Sequence, residues 1–295
     1  MMKRSLHICY EYVVAKMIGF LELPSGRMGN VLLQYVFLRQ LADRLGIDYF
    51  HMKLPYAQYF ENFSRRNISW KLLFTRKWQV DLKYIEDMGV DDFIKEAEDR
   101  SRDGYTIILK PPVLGHLFEF KEENPAKFLK IRAQYQCYVE NPEKKVLAGL
   151  HFRGTDFKEW NDLAVLPTEY YLNAINYILK TVDGDAGRVR WLMFTDDNCF
   201  STYCDTLKFL QDKGFDFVAG DAGNHAMEDF CRLSQCDYIV SSPSTFAIMA
   251  AIMGKENKKI IHNRQWVTSC SQKGEAFWKD IEGNNVPWYQ VIGLI

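Results

Sequence analysis

An α/β fold built from two nucleotide-binding-type domains is what this sequence predicts, and three observations carry that prediction. At 295 residues the chain is long for one core, so two units of about 150 residues are expected. An apolar run, a glycine loop and an amphipathic helix follow one another from Met17, the opening of a nucleotide-fold unit. After Lys145, short apolar runs alternate with helical patterns, as βα units of a parallel sheet do. The composition is that of an ordinary soluble globular chain, 47% hydrophobic and 25% charged, so no long disordered region is expected. A formal net charge of −1 argues against a dedicated nucleic-acid binder.

The first predicted strand is Met17–Leu23. It is the second half of an apolar run from His7 that faintly resembles a signal or anchor, but Glu11, Lys16 and Glu22 interrupt it and it lacks a small-residue cleavage site, so neither is expected. No transmembrane segment is expected. The loop Pro24-Ser25-Gly26-Arg27-Met28-Gly29-Asn30 follows, with Gly26 and Gly29 permitting tight turns and close approach to a ligand. In the next helix Val31, Tyr35, Leu38, Leu41 and Leu45 make one buried stripe, and Gly46 ends it. The loop reads G-x-x-G-N and not G-x-G-x-x-G, which disfavours a nicotinamide-dependent oxidoreductase.

Residues 48–104 carry a weaker pattern, rich in aromatics and charge. Tyr49, Tyr56, Tyr59, Phe60 and Phe63 suit a sugar-acceptor cleft or a core, and core is favoured. The basic group Arg65, Arg66, Lys71, Arg76 and Lys77 and the acidic run Glu86–Asp103 read as exposed faces. Tyr105–Leu109 is a short strand, and a helical stretch is expected from Pro125 to about Tyr138. Asn141-Pro142-Glu143-Lys144-Lys145 is the best linker in the chain, dividing it into 1–143 and 144–295.

In the second half, Val146–Leu150 is an apolar run suited to a strand buried on both faces, and it ends in His151, Arg153, Thr155 and Asp156. Alternation puts His151 and Arg153 on one side and Phe152 on the other. Ligands collect outside the carboxyl ends of such strands. An arginine there suits a bidentate contact to phosphate, and equally a structural salt bridge. A helix opens at Leu166-Pro167-Thr168, with Tyr171, Ile175 and Ile178 on one face. Arg190–Thr195 is the next strand, ending in Asp196-Asp197; Phe200–Lys213 is helical, and Phe215–Ala219 is a short strand. A helix from Met227, a strand from Asp237, the turn Ser241–Thr245 and a helix Phe246–Met253 complete the pattern. Hydroxyls at a helix N-terminus serve as N-caps or, with the free amides, as an anion site.

Metal readings are weak. Asp183-Gly184-Asp185 matches a D-x-D motif but also ordinary turn chemistry, and Cys199/Cys204 and Cys231/Cys236 are spaced too widely for a usual zinc site. Seven cysteines, an odd count in apolar surroundings, point to a reducing compartment and a cytoplasmic protein.

Three separated segments resemble one family. GRMGNVLLQY at Gly26–Tyr35, HFRGTD at His151–Asp156 and EDFCRLSQCDYIVSSPSTFAIMAA at Glu228–Ala251 are similar to the motifs of inverting fucosyltransferases, the α(1,2) enzymes with their α(1,6) and protein-O relatives. FTDD at Phe194–Asp197 and LPTEYY at Leu166–Tyr171 look like that family too. The resemblance implies a GT-B-like architecture, two Rossmann-type domains facing across a cleft, with the donor held mainly by the C-terminal one. It implies GDP-β-L-fucose as donor, a glycan acceptor and no metal or other cofactor. It places Arg153 on the pyrophosphate, His151 and Asp229 on guanine and ribose, Ser244 and Thr245 against phosphate, and Asn30 facing the donor from the first domain. Gly26, Gly29 and Asp196 join that donor set. The sequence departs from the commonest pattern at Gly154, where many relatives carry a second arginine, and at Thr155-Asp156.

The chemistry suits these residues independently. Departing GDP gathers charge on its β-phosphate, which a fixed guanidinium stabilises. Inversion also needs a base for the acceptor hydroxyl, with Asp156 the first candidate and Glu22 the second; the other reading of Asp156 is that it orients Arg153. The other readings are an inverting transferase using another nucleotide sugar such as GDP-mannose, and a nucleotide- or carbohydrate-binding protein without turnover. The oligomeric state is not encoded in any pattern found.

Overall fold

The computed structural model describes residues 16–24, 26–61, 72, 75–111, 125–156, 165–254, 258–263 and 289–294. Strand β1 (Met17–Phe20) leads to helix α1 (Met28–Leu45), β2 (Asp48–Phe50), β3 (Arg76–Val80), α2 (Leu82–Met88), α3 (Val90–Arg102) and β4 (Tyr105–Leu109). These strands form a four-stranded parallel sheet in the order β2-β1-β4-β3. The second half runs β5 (Val146–Phe152), α4 (Thr168–Lys180), β6 (Val189–Thr195), α5 (Ser201–Asp212), β7 (Phe217–Val218), α6 (Ala226–Ser234), β8 (Tyr238–Ser241), α7 (Thr245–Met253), β9 (Lys258–Asn263) and β10 (Tyr289–Leu294). Its sheet has six parallel strands ordered β10-β9-β8-β5-β6-β7. Both halves are therefore parallel α/β layers, as expected. No helix among the described residues is long and apolar enough to cross a membrane.

Strand alternation sorts the second sheet's side chains onto two faces. Ala148, Leu150 and Phe152 of β5, with Val189, Trp191 and Met193 of β6, pack under α4 and α5. Leu147, Leu192, Phe194, Ile239 and Ile260 face the other way, into a cluster that also holds Ile18 and Phe20 of β1 and most of α1. Helix α7 is the joint. Every residue from Ala247 to Ile252 is buried and belongs to that cluster, so the helix is apolar all round and packs between the two halves. Each buried Ile or Met there stabilises by about 1.5–3 kcal/mol, which binds the halves through a common core.

One expectation fails. The helix anticipated from Pro125 to Tyr138 is two short 3-10 turns, Pro125–Phe128 and Ala133–Tyr135, joined by extended chain. Its backbone amides are spent sideways. Arg132 N–H donates to the Tyr59 carbonyl (2.9 Å), Cys137 N–H to Cys231 Sγ (3.0 Å), and Val139 N–H to Gln235 Oε1 (3.1 Å). Those tertiary partners outbid the i−4 carbonyls that a helix would use.

Candidate functional site

The site grows from the carboxyl ends of β5, β6 and β8. Tyr171 donates to the His151 carbonyl at 2.9 Å, and the Ser242 amide to the same oxygen at 3.1 Å, so the end of β5 is pinned from two sides. The His151 ring lies buried, Nδ1 2.7 Å from Ser242 Oγ, and stacks on Phe246 with centroids 5.6 Å apart. Burial, reinforced by the positive charge of Arg153, pulls its pKa down to about 4, so the ring is neutral near pH 7.

Arg153 lies just beyond β5 with its side chain 14% exposed. Its Nε and Nη2 donate to the two oxygens of Asp156, each at 3.0 Å, and Nη1 sits 3.1 Å from Asp196 Oδ2. Asp196 also accepts from the Gly154 amide at 2.8 Å and from the Thr155 hydroxyl at 2.7 Å. Both carboxylates are shared with Arg27, which reaches over from the loop before α1 to 3.4 Å from Asp156 and 3.6 Å from Asp196. The Arg153 guanidinium is therefore held by carboxylates, yet at the seam between the two halves. Burial raises the pKa of Asp156, but the hydrogen bonds and charge of Arg153 and the charge of Arg27 outweigh it and hold the carboxyl below its usual range.

Two helix N-termini meet at the same place. Arg27 occupies the N-cap of α1 with no side-chain cap bond and no acid in the first turn. Ser244 caps α7 by accepting from Phe246 N–H at 3.3 Å, again with no acid in the first turn. A Cβ on Gly29 would come within 2.4 Å of the Phe246 nitrogen and 2.5 Å of the Thr245 carbonyl carbon. Gly29 thus exists for the contact between two helix ends, not for a turn. Gly26 is the turn residue, with φ +94°. Thr245 Oγ1 donates to Asn30 Oδ1 at 2.6 Å and ties the two ends together. Two positive helix dipoles and two guanidiniums are faced here by Asp156 and Asp196, an arrangement suited to a polyanion such as a diphosphate.

The structure therefore brings together Gly26, Gly29, Asn30, His151, Arg153, Asp156, Asp196, Ser244 and Thr245. Asp229 lies one step along, in the first turn of α6, accepting from Asn224 Nδ2 at 3.2 Å. Burial raises its pKa to about 6. Phe230 beside it packs edge-on against Phe246, which carries the His151 ring. Glu22 is exposed in the bend after β1, just past the carboxyl end of that strand. Arg27, Thr155, Ser242 and Phe246 are the contributors that sequence reasoning left out of the site. For Arg27 the signal was available: a cation between two glycines at a helix start.

The remaining candidates fall elsewhere. Asp183-Gly184-Asp185 precedes β6, at the opposite end of the sheet; Asp183 and Gly184 have φ of 57° and 77°, and Asp185 caps a 3-10 turn through Gly187 N–H. Cys231 is buried against Cys137, while Cys199 and Cys204 are exposed. Tyr49 and Phe60 are core, Tyr56 and Tyr59 are half-buried, and Phe63 lies outside the described residues, as do Arg65, Arg66 and Lys71.

No family model matches the chain, and no curated protein matches it in sequence. Solved structures do match in fold. POFUT1 in complex with GDP-fucose superposes with a TM-score of 0.54 at 11% identity, covering 84% of this chain and 97% of that one. POFUT1 in complex with GDP gives 0.53 at 11% identity, over 84% and 98%. A mutant of Arabidopsis thaliana FUT1 in complex with GDP gives 0.55 at 10% identity, over 81% of this chain and 68% of that one. What is shared is the fold: this chain has the GT-B-like α/β fold of these fucosyltransferase structures.

Proposed function

We propose that the chain is a glycosyltransferase that moves fucose from GDP-β-L-fucose to a hydroxyl of a glycan acceptor, with inversion and without a metal ion. The observation that carries this reading is the pairing of Arg153 and Arg27, from opposite halves, over the convergent N-termini of α1 and α7. The fold it shares with proteins solved with GDP-fucose and GDP supports the choice of donor. Residues 144–295 would supply most of the donor site and residues 1–143 the acceptor side. An α(1,2) linkage and a cytoplasmic location belong to the same proposal.

The chain's residues divide the work as follows. Arg153 takes the β-phosphate, where charge accumulates as the glycosidic bond breaks, and the free amides at the start of α7 add to it. Arg27 holds Asp156 and Asp196 when the diphosphate draws Arg153 away. Asp156, whose carboxyl is kept ionised by two arginines, orients Arg153 and makes a poor proton acceptor. Glu22, open to solvent at the end of β1, is the better candidate for the base. The neutral His151 and the half-buried Asp229 face the nucleoside.

The test is calorimetric titration with GDP and UDP, followed by turnover of GDP-fucose with EDTA present. Tight GDP binding, weak UDP binding and transfer that survives EDTA are expected. Binding of UDP without GDP would sink the donor assignment. GDP binding with neither transfer nor hydrolysis would identify a nucleotide-binding protein instead.

A further inference from the structure

A further bridge joins the halves, away from the arginines. Tyr59 ends the 3-10 turn Ala57–Tyr59 that follows β2, and His225 is the N-cap of α6. The His225 Nδ1 accepts from Met227 N–H at 3.2 Å, which leaves the proton of the neutral ring on Nε2. Nε2–H therefore donates to the Tyr59 hydroxyl oxygen, 2.9 Å away, and the two rings stand edge to face at 5.4 Å.

Both partners are fixed in advance. The Tyr59 carbonyl accepts from Arg132 N–H, its amide donates to the Tyr56 carbonyl at 3.0 Å, and its ring packs edge-on against Tyr135 at 4.9 Å. Tyr56, stacked on Tyr59, holds φ 67°, a left-handed conformation that is unfavourable for a side-chain-bearing residue. On the other side, the His225 carbonyl accepts from the Glu228 and Asp229 amides at 2.8 and 3.3 Å. The imidazole that meets Tyr59 thus also sets the first turn of α6, which carries Asp229.

We propose that Tyr59 is a positioning residue for nucleoside recognition: through His225 it fixes the α6 turn, so the nucleoside half of the donor is read only when the two halves are clasped. This rests on the donor reading given above. The diphosphate half is bound elsewhere, by Arg153, Arg27 and the start of α7, and does not depend on the Tyr59–His225 hydrogen bond.

Titration of the full chain with GDP and with inorganic pyrophosphate, at one salt concentration, separates the two halves of the ligand. Tyr59→Phe keeps the ring packing and removes only the hydroxyl. It should weaken GDP by roughly three- to tenfold, the range for one hydrogen bond, and leave pyrophosphate unchanged. His225→Asn retains an N-capping oxygen but is too short to reach Tyr59, and should show the same split. The double variant should be no weaker than either single one. Unchanged GDP affinity in Tyr59→Phe overturns the proposal, and so does an equal loss for GDP and pyrophosphate, which marks a general loosening. Failure of the unmodified chain to bind GDP removes the donor reading itself, and this inference with it.

Discussion

Gly29→Ala is the sharpest probe of the contact between helix ends, because two physical effects predict opposite signs. Helix propensity alone favours alanine over glycine by about 1 kcal/mol. Packing opposes it. The new Cβ would lie 2.4 Å from the Phe246 nitrogen and 2.5 Å from the Thr245 carbonyl carbon, both backbone atoms that cannot rotate away. Ordinary contact is about 3.5 Å, so α1 and α7 must separate by roughly 1 Å at their starts. Overpacking of that kind costs about 1–3 kcal/mol, and α7 has little slack to give because Ala247–Ile252, directly behind the contact, are all buried. The expected net loss is about 1–2 kcal/mol, a fall in Tm of roughly 2–6 °C by scanning calorimetry. The same displacement stretches the 2.6 Å bond between Thr245 and Asn30 and moves Arg27 away from Asp156, so GDP affinity falls too. A variant as stable as the parent, or more so, would show that the helix ends do not touch.

The remaining predictions concern charge and space around Arg153. Arg153→Ala should cut transfer by about a hundredfold or more while the far-UV circular dichroism of the folded chain is kept, and near-parental turnover would refute its role on the phosphate. Arg27→Ala should weaken GDP by a smaller factor, on the order of tenfold, and flatten the salt dependence of binding; an unchanged salt slope would remove Arg27 from the site. Gly154→Ala should destabilise by about 1–3 kcal/mol in a denaturant melt, since its Cβ would meet Phe200 at 2.8 Å and Asp197 at 3.1 Å. Asp229 has a folded pKa raised to about 6 from 3.8, so its contribution to stability is full below pH 3.8 and is lost as pH rises through 6. Asp229→Asn should therefore stabilise the free protein at pH 7, on the order of 1 kcal/mol, while lowering its affinity for GDP; destabilisation at pH 7 would refute the burial argument.

The fold was legible where a strand and the following helix each showed their own period. The β5 run and the β6 to α7 alternation could be read because buried parallel strands are continuously apolar. For α1 the sequence shows one buried stripe, but Leu32, Leu33, Val36 and Phe37 off that stripe are buried as well, because the helix lies between the two halves. β3 could not. Its sequence, Arg-Lys-Trp-Gln-Val at an edge, has one fully buried residue, Val80, and its pairing with β4 comes from backbone bonds that leave no hydrophobic pattern. The segment after Pro125 failed for the opposite reason: its composition permits a helix, but its amides find partners in Tyr59, Cys231 and Gln235, far away in sequence.

The site shows a similar division. Motif position placed Arg153, His151, Ser244 and Thr245 together, because strand ends and helix starts in a parallel sheet converge whatever the details. Pairing was readable only within the loop. That Asp156 orients Arg153 was one of the two roles its sequence position offered, and the structure shows the grip through both oxygens. That Arg27 crosses the seam to share it depends on how the halves pack, and α1 against α7 decides that. Gly154 carries the same lesson. An arginine there, as many relatives of the resembled family have, would need the volume that the buried Phe200 fills beside it. This chain instead brings its second cation from the other half, so the positive charge over the crevice depends on the seam being closed. On the proposed donor reading, donor binding and contact between the halves are then one equilibrium, and a substitution that loosens the α1–α7 joint should weaken GDP.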